Sequence, residues 1–214
     1  PLRLNYLQTF SKAHYTTEEF QLSNQNPGRI KWVLGAFVYR NIVRVADPRY
    51  QTGTAVTPNQ YLEIYGTQRT KSFSVYGQAT AELFTDTNLT VGLRNTDETL
   101  TLRGAYKDRT STLIRNSPFS NQITYKPWTY RVALDHQFTP DILGYASFNH
   151  GFKAGGYNAI TPETASFQPE TLNAYEVGVK SQFASRVRLN IAAFYYDYKN
   201  IQIAIVPGGA GQIF

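Results

Sequence analysis

The chain contains no cysteine and no methionine. Without thiols, disulfides and thiolate-ligated metals drop out. Without Met or a secretory leader, the expectation is a piece of a longer, exported protein. No stretch approaches the ~20 consecutive apolar residues that a transmembrane helix needs. Histidine is scarce, and His14, His136 and His150 lie far apart with no ligand spacing, so no metal site is expected. Charge is thin too, at 17% of 214 residues. The net +6 comes from Lys and Arg placed singly, without the basic run that would point to nucleic acid as a partner. Glu18-Glu19 and Asp97-Glu98 are adjacent pairs, and neighbours on a strand face opposite ways. There is no Gly-x-Ser-x-Gly elbow and no Gly-x-Gly-x-x-Gly loop. Neither catalysis nor a cofactor is implied.

Aromatic residues are abundant, with 16 Tyr and 13 Phe, and with Thr and Val they favour strands. Alternation of period 2 marks them. In Ser72–Leu83, Phe73, Val75, Gly77, Ala79, Ala81 and Leu83 share one face, opposite Ser72, Ser74, Tyr76, Gln78, Thr80 and Glu82. Similar runs occupy Arg29–Tyr39, Leu89–Arg94, Ala174–Phe183 and Val187–Ala193, with weaker ones at His14–Ser23, Thr129–Phe138 and Ile142–Lys153. Glu82, Arg94, Glu176, Lys180 and Arg188 fall on the polar faces, which a wet lumen accommodates better than a dry core. Tyr125, Trp128 and Phe194–Tyr196 cluster near strand ends, as interfacial girdles do.

The connections alternate between tight turns (Asn24–Gly28, Thr85–Asn88, Thr139–Asp141, Ala184–Arg186) and long polar stretches (Arg44–Thr70, Ala105–Lys126, Ala154–Gln168). A meander sorted in this way is the layout of an outer-membrane barrel, with short turns inside and long loops outside. The expected fold is all-β: an antiparallel up-and-down meander of about eight strands, part of a transmembrane β-barrel.

Tyr145-Ala146-Ser147-Phe148-Asn149-His150-Gly151-Phe152-Lys153-Ala154-Gly155-Gly156-Tyr157-Asn158 resembles a stretch common in TonB-dependent outer-membrane receptors. Pro169-Glu170-Thr171-Leu172-Asn173-Ala174-Tyr175-Glu176-Val177-Gly178-Val179-Lys180-Ser181 and Val187–Tyr198 resemble the strands that follow it in that family. Thr17–Ser23 and Trp32–Arg40 resemble an earlier hairpin. The resemblance implies a barrel of about twenty-two strands around an N-terminal plug. Residues 1–214 would supply part of its wall, with the plug, TonB box and closing strands outside them.

The implied function is energy-coupled uptake of a scarce ligand such as an iron–siderophore complex. The implied partners are outer-membrane lipid and lipopolysaccharide, a small-molecule metal chelate, and the inner-membrane TonB complex through the plug alone. A passive porin and a soluble carbohydrate-binding module are the alternatives. Gly151, Phe152, Gly155, Gly156, Tyr175, Glu176 and Gly178 read as structural positions, glycine permitting bends and close backbone approach. For ligand contact, Tyr50, Tyr61, Tyr65 and Arg69 in the longest loop and Lys153 and Tyr157 beside the glycine motif are the candidates. Aromatic rings offer stacking area and cations attract anionic chelates.

Overall fold

The computed structural model describes residues 5–7, 10–25, 28–51, 60–109, 114–157, 166–183, 187–205 and 212–213, and side chains over most of that range. The strands in chain order are β1 (Asn5–Leu7), β2 (Phe10–Ser23), β3 (Ile30–Gln51), β4 (Gln60–Phe84), β5 (Thr87–Arg109), β6 (Ile114–Tyr125), β7 (Trp128–Thr139), β8 (Ile142–Lys153), β9 (Glu170–Phe183), β10 (Val187–Lys199), β11 (Ala204–Ile205) and β12 (Gln212–Ile213). The first ten form one antiparallel sheet, and β11 pairs β12.

β1 and β2 lie end to end against β3, and β6 and β7 end to end against β5. The sheet therefore has eight lateral positions, matching the expected meander. Between β6 and β7 stands Lys126-Pro127. Proline has no N–H for a ladder, and its carbonyl instead accepts the Thr96 N–H at 3.1 Å, bridging the gap.

The turns β4–β5 and β7–β8 are two residues long. In the first, Asp86 adopts φ 62°, a left-handed conformation that Asp tolerates. Asn24 closes the β2–β3 turn by accepting the Trp32 N–H at 3.0 Å and donating to the Ile30 carbonyl at 2.8 Å. Ala184–Arg186 lies outside the described residues.

Two of the long stretches differ from expectation. Arg44–Thr70 and Ala105–Lys126 are mostly strand: β3, β4 and β5 run 22, 25 and 23 residues, and pairing continues out to Gln51↔Gln60. Tyr50, Tyr61, Tyr65 and Arg69 thus sit on a hairpin's strands, not in a loop. Hydropathy contrast vanishes there because both faces meet polar surroundings, while backbone pairing needs no such contrast. Ala154–Gln168 carries no strand among its described residues.

The two faces of the sheet have opposite chemistry. One carries Leu22, Leu34, Phe73, Val75, Val91, Leu93, Val132, Val177 and Ile191, all exposed. The other is more crowded, with Ser74 and Leu102 fully buried and Thr70, Ser72 and Leu100 nearly so. Leu100 and Leu102 are the only buried large apolar side chains among the described residues, so no second protein layer covers the outer face. Along β4 that apolar face runs from Phe73 to Leu83. At ~3.3 Å per residue and a tilt near 40° this is a band about 25 Å tall, the hydrocarbon height of a barrel wall. No described helix is long and apolar enough to cross a membrane, and the strands provide the crossing.

Candidate functional site

The inner face presents a polar wall organised by two tyrosines. Tyr76 on β4 lies across Gly35 of β3, so that a Cβ at Gly35 would overlap its ring. Its hydroxyl donates to Glu19 Oε1 at 2.6 Å and accepts from Gln21 Nε2 at 2.7 Å. Tyr145 on β8 lies across Gly178 of β9, where a Cβ would come within 2.7 Å of the ring. Its hydroxyl donates to Glu176 Oε1 at 2.5 Å, and Lys180 Nζ stands 5.4 Å from the ring centre. The spacing Glu176-x-Gly178-x-Lys180 follows from strand periodicity: an acceptor, a gap and a cation on one face receive a single tyrosine.

Arg94 joins the first cluster. It donates to Ser74 Oγ at 2.9 Å and Thr96 Oγ1 at 3.3 Å, and lies over the rings of Phe37 and Tyr76 at 5.4 and 5.8 Å. Arg131 donates to Asn149 Oδ1 at 3.0 Å. Between the two arginines, Tyr76 and Asn149 an open groove of about 360 Å³ runs along the wall. Gly92 and Gly151 form part of its lining, and a Cβ at Gly151 would meet only the Leu172 carbonyl, at 4.0 Å. Guanidinium groups with unused N–H donors suit carboxylate or other anionic groups. Among the described residues no cluster of His, Asp and Glu is placed to hold a metal.

The outer end of β8 turns over this wall. Gly156 and Phe167 exchange backbone hydrogen bonds at 3.2 and 2.9 Å, and a Cβ at Gly156 would lie 2.8 Å from the Phe167 ring. Gly155 packs against the Phe167 carbonyl and the Tyr125 hydroxyl, and the rings of Phe152 and Tyr125 are 5.8 Å apart. Burial pushes the phenols of Tyr125 and Tyr157 up. Lys153 Nζ pairs with Glu170 Oε2 at 3.3 Å, while Glu170 Oε1 accepts the Gln202 N–H at 2.5 Å. That N–H first, and Lys153 with it, holds the Glu170 carboxyl below its usual range against the effect of burial.

The expected site residues therefore divide. Lys153 and Tyr157 stand at the outer end of the wall near the glycine turn. Tyr50 and Tyr61 pair with each other on the β3–β4 hairpin, and their side chains lie outside the described residues. Tyr65 and Arg69 alternate in phase with Phe73, on the face turned away from the interior. Tyr175 is also outward, its ring 4.8 Å from Phe148 and 6.2 Å from Tyr195. Arg94, Arg131 and Tyr76 were missed as site residues, because only the cross-strand register of β4 with β5 and of β5 with β7 brings them to one groove.

A family model described as "TonB dependent receptor-like, beta-barrel" matches residues 2–213. The metal-pseudopaline receptor CntO of Pseudomonas aeruginosa, in two strains, is 30% identical over 102 residues, 46% of this chain and 14% of the receptor. The solved ferric yersiniabactin uptake receptor FyuA of Yersinia pestis superposes with TM-score 0.74 at 18% identity, over 93% of this chain and 30% of that one. The latter likeness is one of fold. The match thus spans about a seventh of the curated relatives' length.

Proposed function

The chain belongs to the TonB-dependent receptor-like β-barrel family, and from that premise we propose that its protein imports a metal chelate across the outer membrane. Members of this family are outer-membrane transporters, not enzymes. The soluble-module alternative fails with that assignment and with the exposed apolar band. In the proposal, residues 1–214 supply eight lateral positions of the wall, and coupling to the inner membrane runs through a plug outside them. Tight turns face the periplasm and the long β3–β4 and β5–β6 hairpins face outside.

The match across residues 2–213 carries the reading. The name of the CntO relative and the two arginines at the groove support an anionic chelate as cargo. Arg94 and Arg131 attract its acidic groups, and Lys153 and Tyr157 stand at the outer end. Tyr65 and Arg69 have no part in this contact.

The test is growth under metal limitation of a strain lacking the gene, supplied singly with a panel of metal chelates. Loss of growth on one chelate class is expected, restored by the wild-type gene and weakly by Arg94→Ala/Arg131→Ala at equal protein level. Unimpaired growth on every chelate of the panel would overturn the proposal.

A further inference from the structure

Near the β7–β8 turn, the inner face of β9–β10 carries two cations side by side. Lys180 is the direct partner of Asn190, and Arg188 of Gln182. All four alternate in phase with Glu176 and Gly178, the residues that receive Tyr145, and so face the lumen. Lys180 and Arg188 are therefore diagonal neighbours, a placement with Cβ atoms about 7–8 Å apart. Both are exposed. Among the described residues neither forms an ion pair, and Lys180 has the Tyr145 ring as its neighbour at 5.4 Å. The lumen acids closest in register are already engaged. Glu176 accepts the Tyr145 hydroxyl, and Asp135 accepts the Asn88 amide at 3.0 Å.

A pocket of about 360 Å³ opens there, lined by both cations, the amides of Gln137, Gln182 and Asn190, and Asp141 of the β7–β8 turn. Two cations face one acid, so the pocket attracts an anion yet holds it loosely. Lys180 supplies a point charge and Arg188 a planar fork of donors, which together suit a group with several anionic oxygens. The pocket is well separated from the Arg94–Arg131 groove. Arg131 is in register with Ala174 through Asn149, and Lys180 lies six residues further along β9. At ~3.3 Å per residue and a 40° tilt this is about 15 Å along the barrel axis. The inner face of β8 and β9 between the two levels carries Ser147, Tyr145, Glu176 and Gly178, with no cation among them.

We infer that Lys180 and Arg188 form a second anion site, at which the acidic oxygens of an incoming chelate rest before release to the periplasm. The inference rests on the reading of this protein as an importer of an anionic chelate. Cargo drawn in by the arginines of the outer groove would otherwise meet only the engaged acid Glu176 on this part of the wall. A loose cation pair at the inner end lowers the barrier to leaving the groove without trapping what arrives.

Uptake of the radiolabelled chelate that sustains growth in the panel above is measured over a range of concentrations, in cells making the full-length protein. Lys180→Gln/Arg188→Gln should lower the maximal rate about tenfold at equal protein level. The half-saturating concentration, and binding of chelate to de-energised cells, should stay unchanged. Arg94→Ala/Arg131→Ala should instead raise the half-saturating concentration. Lys180→Arg/Arg188→Lys, which keeps both charges, should retain most of the rate. Where the double variant fails to insert, Arg188→Gln alone should lower the rate about threefold. A maximal rate unchanged by loss of the charges, or lost equally in the charge-preserving swap, would overturn the site. A lowered urea midpoint with an unchanged rate per folded molecule would assign the cations to an ion pair with the plug instead. If the wild type imports no chelate of the panel, the reading of function fails. If it imports one, and only the Lys180 and Arg188 variants behave as wild type, this site alone fails.

Discussion

Replacing Val91 by Arg would place a guanidinium in the middle of the outward band. Val91 is 47% exposed, opposite Ala79 on one side and Val132 on the other, with no acid among these partners. Its partner Ala79 lies six residues from Phe73 and four from Leu83, so the edges of the ~25 Å band are about 15 and 10 Å away, beyond easy snorkelling. An Arg at that depth on a barrel's lipid face costs about 2–4 kcal/mol. With a urea dependence of roughly 2 kcal/mol per molar, the unfolding midpoint in phospholipid vesicles should fall by about 1–2 M. Ile30→Arg, at the lower edge of the same face, should cost only about 0–1 kcal/mol. Gln78→Arg, one register step away but facing the lumen beside Gly92, should stay within about 0.5 kcal/mol. Reversible urea unfolding followed by tryptophan fluorescence decides the matter. Equal midpoints for Val91→Arg and Gln78→Arg, or the reverse order, would refute the assignment of faces.

Three further outcomes follow from local geometry. Gly178→Val forces the Tyr145 ring off its neighbour and breaks its bond to Glu176; the urea midpoint should fall, and adding Tyr145→Ala should restore part of the loss. Because the Gln202 N–H and Lys153 hold Glu170 below the ordinary carboxyl pKa, its contribution is complete above about pH 4.3. It is lost as pH falls through the depressed value, and Glu170→Gln should flatten this acid limb of stability against pH. Asp86→Val, at φ 62°, should cost about 1–2 kcal/mol while Asp86→Gly stays near neutral, as differential unfolding will show.

Where both faces of a strand meet different media, the sequence announced it. Ser72–Leu83 and Ile142–Lys153 were legible because one side touches hydrocarbon and the other water, and Ile142–Lys153 coincides with β8. Residues such as Arg40–Gln51 and Gln60–Lys71 were not, because above the membrane both sides are polar and alternation carries no signal. Tyr65 and Arg69 were misplaced in a loop for this reason. The glycine motif was visible as a motif, yet its fit depends on two residues distant in the chain, Tyr125 at the end of β6 and Phe167 at the far end of the Ala154–Gln168 stretch. Arg94 and Arg131 come together only because β5 and β7 pair in a register set partly by Pro127. Single-strand patterns hold no information on such partnerships.

Energy-coupled import is the central claim, and accumulation of a radiolabelled metal from its chelate tests it most directly. The strain carrying the protein, a deletion strain, and wild-type cells whose proton-motive force has been collapsed are compared after equal times. The account predicts accumulation in energised wild-type cells and loss of it in both others. Accumulation that survives collapse of the proton-motive force but not deletion would make the barrel a passive channel and contradict the account.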